Sequence, residues 1–360
     1  MKIICTQENL KNGLLLTTKI ITNNNTLPIL NNILLKTENG QLKICSTNLE
    51  LAINTKIRCK VEEEGQTTVH ARMLMDLVNN LNNENLNIEA KDGNIEIKTE
   101  NQKFNLKTLN AEEFPFTPDS KNTNQYNIKP LDFKQAMQQV VFATSANQTQ
   151  PEISGVYVSF NQKQIRVVAT DRYRLAERVV EGGGEGEVII PQKTVLEVVR
   201  ILNQGGENFG VVIEDNQIFF NIGDTQIISR LVDGQYPDYK SIVPENFNSI
   251  IVIQREKLQT ALKTGALFSQ STSSVKMDYK TGGVRVSSES EGVGSGEAEI
   301  ACKVEGGQGS LLLNYKYVLD FLSQVQSENV IIKIVNDSSP AVFAPEGDVG
   351  YMYLVMPIKI

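Results

Sequence analysis

An internal triplication constrains this chain more than any other feature of its sequence. A short β-rich run leads into an amphipathic helical pattern three times, as IICTQENLKNGLLLTTKI, YNIKPLDFKQAMQQVVFATS and IVIQREKLQTALKTGALFSQ. Each run sets two apolar residues four apart behind an acidic one: Leu10 and Leu14 after Glu8, Phe133 and Met137 after Asp132, Leu258 and Leu262 after Glu256. That spacing puts both on one helix face, with the acid near the positive N-terminus. The leading residues Leu10, Phe133 and Leu258 stand 123 and then 125 apart. A second marker, MLMDLVNNL, TVLEVVRIL and YVLDFLSQV, carries Asp76, Glu197 and Asp320 at spacings of 121 and 123. A third joins the first two units, TLNAEEFP and RLVDGQYP, with Leu109 and Leu231 122 apart. Agreement of separate markers on one period implies homologous units. The reading is three domains, at 1–121, 122–245 and 246–360.

Between the helical patterns the residues alternate apolar and polar, the period of a strand with one buried face. Turn pairs punctuate the alternation, at Asp92-Gly93, Asp215-Asn216 and Gly223-Asp224. Each unit therefore reads as α+β, two helices packed on antiparallel sheets of around eight strands. The six helices are predicted over 7–21, 72–82, 129–146, 192–203, 255–270 and 315–326.

Composition enters mainly through what it excludes. With 35 basic and 42 acidic side chains the net charge is −7, which rules out a protein that coats nucleic acid through overall basicity. His70 is the single histidine, so a metal site built from several histidines is impossible and a histidine-based triad has one candidate. Cys5, Cys45, Cys59 and Cys302 show no paired spacing and read as reduced thiols. There is no phosphate loop, and the clusters Gly182–Gly184, Gly292–Gly296 and Gly306–Gly309 fall between strand patterns, as hairpin loops do. No cofactor or metal is expected. A hydrolase built on a carboxylate pair is an alternative, but no Asp or Glu is singled out for it.

The first residues lack the unbroken apolar core of a signal peptide, and no run approaches the roughly 20 apolar residues of a membrane helix. A cytoplasmic protein with no membrane partner is expected. Two stretches stand apart. ATDRYRLAERVV (169–180) reads as a hairpin whose Asp171, Arg172 and Arg174 solvate the turn, and the apolar YLVMPIKI (353–360) as a final edge strand tied into the sheet.

Four runs then coincide: TLPIL at 26–30, ATDRYRLA at 169–176, LVDGQYPDYKSIVP at 231–244 and the terminal VMPIKI. Together with the three-unit layout they resemble the β sliding clamp family, the β subunit of bacterial DNA polymerase III. The resemblance spans the chain. It implies a non-catalytic head-to-tail homodimer, a ring of six domains with helices lining a hole and sheets on the rim. Double-stranded DNA would thread the hole without sequence preference. The implied partners are the polymerase III catalytic subunit, the clamp loader, and other polymerases and repair proteins carrying clamp-binding peptides. A paralogous scaffold that binds such peptides without being loaded on DNA is the runner-up.

The resemblance also implies site residues. The partner-peptide pocket would use Ile153, Thr170, Arg172, Tyr173, Arg174, Leu175, Pro237, Ser241, Ile242, Leu354, Met356, Pro357 and Ile358. DNA would meet Lys11, Lys19, Asn24, Lys134, Asn147, Gln148, Lys193 and Arg200, and the ring would close through Phe104, Leu106, Leu267 and Phe268. Two departures from the family pattern are visible: Arg172-Tyr173 stands where the family has Gly-His, and Asn23-Asn24-Asn25 where an Arg often precedes TLPIL. A lining that holds DNA by topology needs only mild basicity. The six predicted helices together carry +5 and the remainder −12.

Overall fold

The computed structural model describes residues 1–21, 27–118, 120, 126, 128–147, 149–205, 208–269 and 273–359. Asn24 and Gln148 lie outside them. All six predicted helices form: α1 (Gln7–Thr17), α2 (Ala71–Asn80), α3 (Pro130–Val141), α5 (Gln192–Leu202), α6 (Arg255–Gly265) and α7 (Tyr315–Gln324). One short turn of helix, α4 (Pro151–Ser154), is an addition, nucleated by a proline at its first position.

Local chemistry sets the helix ends. Thr6 caps α1 by accepting from the Asn9 N–H at 3.2 Å, and Asn314 caps α7 through the Lys316 N–H at 3.0 Å. His70 does the same for α2 with its ring: Nδ1 accepts from the Met73 N–H at 3.4 Å. The lone histidine is thus an exposed cap. Helix α3 stops at Val141 rather than 146 because the next N–H groups, of Ala143 and Thr144, bond the carbonyls three residues back. The Thr144 hydroxyl adds a bond to the Val141 carbonyl at 2.9 Å.

Contacts divide the chain into two compact units, Met1–Pro130 with Glu197–Leu231, and Leu131–Leu196 with Val232–Ile360. The first unit holds a twelve-stranded sheet. The hairpins Phe209–Glu214, Gln217–Ile222 and Thr225–Arg230 come first, and the last pairs antiparallel with Leu51–Arg58. The sheet continues through Gln41–Thr47, Asn32–Glu38, Gln66–His70, Lys103–Leu109, Asn94–Lys98, Asn85–Lys91 and Lys2–Thr6 to Lys60–Glu63. Strands of the middle repeat thereby extend the sheet of the first, and the Thr55 and Thr225 hydroxyls bond across the seam at 2.8 Å. Helix α1 lays Leu10, Gly13, Leu14 and Thr17 on this sheet. Gly13 lets the helix approach closely there: a Cβ would come within 2.8 Å of the Ile44 and Ile57 side chains, which would have to shift.

The second unit holds a nine-stranded and a four-stranded sheet. The nine-stranded sheet orders Gly186–Pro191, Gly155–Phe160, Gln164–Thr170, Arg174–Glu181, Tyr351–Val355, Ala341–Pro345, Asn329–Ile334, Ser249–Gln254 and Lys303–Gly306. Here the middle repeat meets the third, through Arg174–Glu181 against Tyr351–Val355. The four-stranded sheet runs Gly294–Ala301, Gly283–Ser290, Ser274–Lys280 and Gly309–Asn314. Buried aromatic rings anchor the core of this unit, with Phe321 stacked on Tyr353 at 5.3 Å and tilted against Phe343 at 5.8 Å. The expected turns appear, with positive φ at Asp92, Gly93, Asp215 and Gly223.

Candidate functional site

The turn joining Gln164–Thr170 to Arg174–Glu181 is held by its own side chains. Asp171 Oδ1 accepts from the Tyr173 and Arg174 N–H groups, both at 3.0 Å, and Oδ2 from Arg174 Nε at 2.9 Å. The Thr170 hydroxyl donates to the Arg174 carbonyl at 2.7 Å and accepts from the Arg172 N–H at 3.1 Å. Arg174 then reaches beyond the hairpin. Its Nη1 bonds Asp320 on α7, its Nη2 donates to the Phe142 carbonyl at 2.8 Å, and the guanidinium lies 4.4 Å from the Tyr317 ring centroid. Burial by itself would lower the pKa of this group, but the Tyr353 phenol and the Asp320 and Asp171 carboxylates outweigh it and hold it above the ordinary arginine range. The turn expected to be solvated by Asp171, Arg172 and Arg174 is instead an internal ion network. Of those three side chains only that of Arg172 is exposed, with its backbone at φ +78°.

Beside the turn lies an apolar floor. Val168, Leu175, Tyr239, Val342 and Leu354 are buried together, with Tyr157, Tyr236, Val243, Phe247 and Met352 packed on them half-buried. Leu175 and Leu354 face each other in the antiparallel register, and the Met356 N–H donates to the Tyr173 carbonyl at 2.8 Å, extending the pairing into the C-terminal run. Two residues on, the Ile358 N–H bonds the Leu312 carbonyl at 2.8 Å, so the apolar tail is tied down as expected, but Tyr351–Val355 is no edge strand: it lies between Arg174–Glu181 and Ala341–Pro345. Tyr157 stacks on Tyr236 at 4.9 Å, and the Tyr239 hydroxyl donates to Glu177 at 2.6 Å. Burial pushes the Tyr157 phenol up to about 12 and those of Tyr236 and Tyr239 higher still. These rings stay neutral across the physiological range.

The helix cations divide into two kinds. Lys19 and Lys193 are exposed, and Lys11 and Lys134 half-exposed. Arg200, also expected to meet DNA, makes its bonds within the chain. It pairs with Glu197 at 2.6 Å and donates to the Leu15 and Leu16 carbonyls at 3.2 and 2.7 Å. Those carbonyls belong to the last turn of α1, where a helix leaves acceptors unsatisfied and favours a cation. Asn147 spends its side-chain oxygen on the Thr149 N–H at 3.0 Å.

Among the strand edges left open in the described residues, two lie beside the residues expected to close a ring. Lys103–Leu109 pairs along its length with Asn94–Lys98, but on its other side only Leu109 and Thr108 pair, with Thr68 and Val69. Gly294–Ala301 is the outermost strand of its sheet. On the first edge Phe104 and Leu106 turn toward the core while Lys103 and Lys107 face solvent. On the second, Phe268 packs its ring over Gly294 and Gly296, and Glu297 and Glu299 alternate with them on the opposite face.

Three consecutive family models match the chain, those for the N-terminal, central and C-terminal domains of the DNA polymerase III beta subunit, over residues 1–118, 127–238 and 240–359. The chain belongs to this family. A beta sliding clamp from Synechocystis is 26% identical over 389 residues, covering 100% of both chains. A sliding clamp from Pseudomonas aeruginosa, solved bound to griselimycin, superposes with a TM-score of 0.95 at 27% identity and full coverage of both chains. One from Caulobacter crescentus, with polyethylene glycol at its presumed motif-tethering region, gives 0.95 at 25%. The α+β fold of three clamp domains follows.

Against that membership in the beta subunit family, the residues expected at the pocket separate by depth. Leu175, Leu354, Ile153 and Thr170 are buried, at 1%, 2%, 2% and 6% exposure. Pro357 is buried and Met356 half-buried, while Arg172, Tyr173, Pro237, Ser241, Ile242 and Ile358 are exposed. Leu175 and Leu354 belong to the buried apolar floor. The aromatic trio Tyr157, Tyr236 and Tyr239 was not expected there, although two of the three stand in the LVDGQYPDYKSIVP run. Leu267 is exposed at 60% and Phe268 half-buried. The four cysteines form no disulfide, and Cys5 and Cys45 are buried. Among the described residues no helix is long and apolar enough to cross a membrane.

Proposed function

We propose that this protein is a DNA sliding clamp: two copies close head to tail into a six-domain ring around duplex DNA, and the ring tethers the replicative polymerase without itself catalysing a reaction. The observation that carries the reading is the end-to-end correspondence of the chain with the three domains of the beta subunit family and with named beta sliding clamps. The domain bounds follow the repeat, 1–121, 122–245 and 246–360, and the setting is the cytoplasm. A heterologous interface repeated twice closes a dimeric ring with no free ends.

The edges at Lys103–Leu109 and Gly294–Ala301 support that closure. If Lys103–Leu109 of one copy extends the sheet of another copy at Gly294–Ala301, Phe104 and Leu106 come onto the face of Leu267 and Phe268, and Lys103 and Lys107 onto the face of Glu297 and Glu299. Apolar meets apolar on one face and opposite charges meet on the other. Lys11, Lys19, Lys134 and Lys193 would meet phosphates, a contact that carries no sequence information and permits sliding. Partner peptides, from the polymerase, the clamp loader and repair proteins, would lie on Tyr173, Pro237, Ile242 and Met356 over the Leu175–Leu354 floor.

The test is retention on circular DNA. The loaded protein should stay on a closed circle and leave on linearisation, and its solution mass should be twice the 40.0 kDa of one chain. A stable monomer that binds both DNA forms equally overturns the reading.

A further inference from the structure

Of the cations in the turn and on the strands that flank it, Arg166 is bonded to Glu177, Arg174 to Asp171 and Asp320, and Arg178 to Asp348. Arg172 makes no ion pair among the described residues, and its side chain is exposed. Its backbone sits at φ +78°, left-handed geometry that disfavours a residue with a Cβ and that glycine adopts freely. The turn imposes that geometry regardless of residue type, because the Thr170 and Asp171 side chains hold the backbone N–H groups on either side. An arginine at a glycine position, strained and unpaired inside an otherwise fully paired network, breaks the local rule without a compensating contact in the chain. Such breaks collect at functional positions.

The next residue fixes what that function can be. Tyr173 is 64% exposed and its carbonyl holds the Met356 N–H, so the turn abuts the C-terminal run beside the apolar floor, and the exposed, unpaired Arg172 side chain belongs to that turn. A planar guanidinium of this kind recognises a carboxylate, through two parallel N–H donors. We infer that Arg172 is a specificity residue: it selects partner peptides in which an Asp or Glu flanks the apolar side chain that seats against Tyr173. The inference rests on the groove being the partner site.

The experiment uses the full-length protein and two synthetic pentapeptides, Gln-Leu-Glu-Leu-Phe and Gln-Leu-Gln-Leu-Phe, titrated by fluorescence anisotropy. Wild-type protein should bind the Glu peptide about three- to tenfold tighter than the Gln peptide, with the difference shrinking in high salt, as for an exposed charge pair. Arg172→Gly, which relieves the backbone strain and so keeps the fold, should bring the ratio to one, and Arg172→Glu should invert it. An unchanged ratio in Arg172→Gly overturns the inference while leaving the groove in place. Loss of the groove reading looks different: neither peptide binds wild-type protein, or Met356→Ala leaves both affinities untouched, and the inference falls with it.

Discussion

The guanidinium of Arg174 bonds the carboxylate of Asp320, 146 residues away, while its other nitrogens hold Asp171 and the Phe142 carbonyl. One side chain thus joins the central turn, the residue following α3 and helix α7. Replacing it by Leu leaves Asp171 and the Phe142 carbonyl without their donor in a mostly buried site. The cost should be about 2–4 kcal/mol, below the full penalty of a buried pair because the Asp320 side chain keeps 45% exposure. A fall in the urea midpoint and loss of peptide binding would register it. Arg174→Lys should recover little, since a point ammonium cannot serve three acceptors in three directions.

Arg200 and Lys193 stand on the same helix and should separate cleanly. Arg200→Ala uncaps the last turn of α1 and strands Glu197, so it should lower stability by about 1–2 kcal/mol. Lys193→Glu, at an exposed position, should leave the urea midpoint within about 0.5 kcal/mol and weaken retention on circular DNA. The reverse pattern, with Arg200→Ala stable but released from DNA, would return Arg200 to the phosphate-binding set.

These two residues also mark how far the sequence could be read. Helix periodicity is local, so all six helices were visible, and so were the turn pairs that need positive φ. The destination of a long side chain is not local: the Glu197 partner of Arg200 lies three residues away and was readable, whereas the α1 carbonyls lie 184 and 185 residues away. Strand order is non-local for the same reason. The repeat marks three units, yet Thr225–Arg230 pairs into the first repeat and Arg174–Glu181 into the third, so contacts divide the middle repeat between two compact units. At the groove, the motif carried the turn and the tail. Tyr157 was missed because it stands on an ordinary alternating strand and joins Tyr236 only through packing.

Alkaline pH should destabilise the protein through a buried thiol. Burial pushes the Cys5 thiol from 9.0 up to about 12. The folded state therefore binds this proton more tightly than the unfolded state. The stabilisation is complete below about pH 9 and is lost as the pH rises towards 12, by an amount on the order of a few kcal/mol. Urea midpoints measured from pH 8 to 11 should fall, and Cys5→Ala should flatten that fall while lowering the plateau at neutral pH by the cavity it leaves. At pH 8 a maleimide should modify Cys5 and Cys45 only on unfolding.

Charge reversal at the open edges tests ring closure without touching the core. Glu297 and Glu299 project from Gly294–Ala301 on the face opposite Phe268, and Lys103 and Lys107 project from Lys103–Leu109 away from Phe104 and Leu106. Glu297→Lys with Glu299→Lys turns each proposed attraction into a repulsion of about 1 kcal/mol, enough together to raise the dimer dissociation constant by about ten- to a hundredfold. At low micromolar protein the mass should shift towards the 40.0 kDa monomer, and added salt should partly restore the dimer by screening the repulsion. Pairing these changes with Lys103→Glu and Lys107→Glu should restore dimers in part only, because Lys103 also bonds Glu96 at 2.5 Å within its own sheet and a carboxylate there repels it. A doubly reversed protein no more dimeric than the single reversal would mean that these strands do not meet, and closure would have to run through another surface.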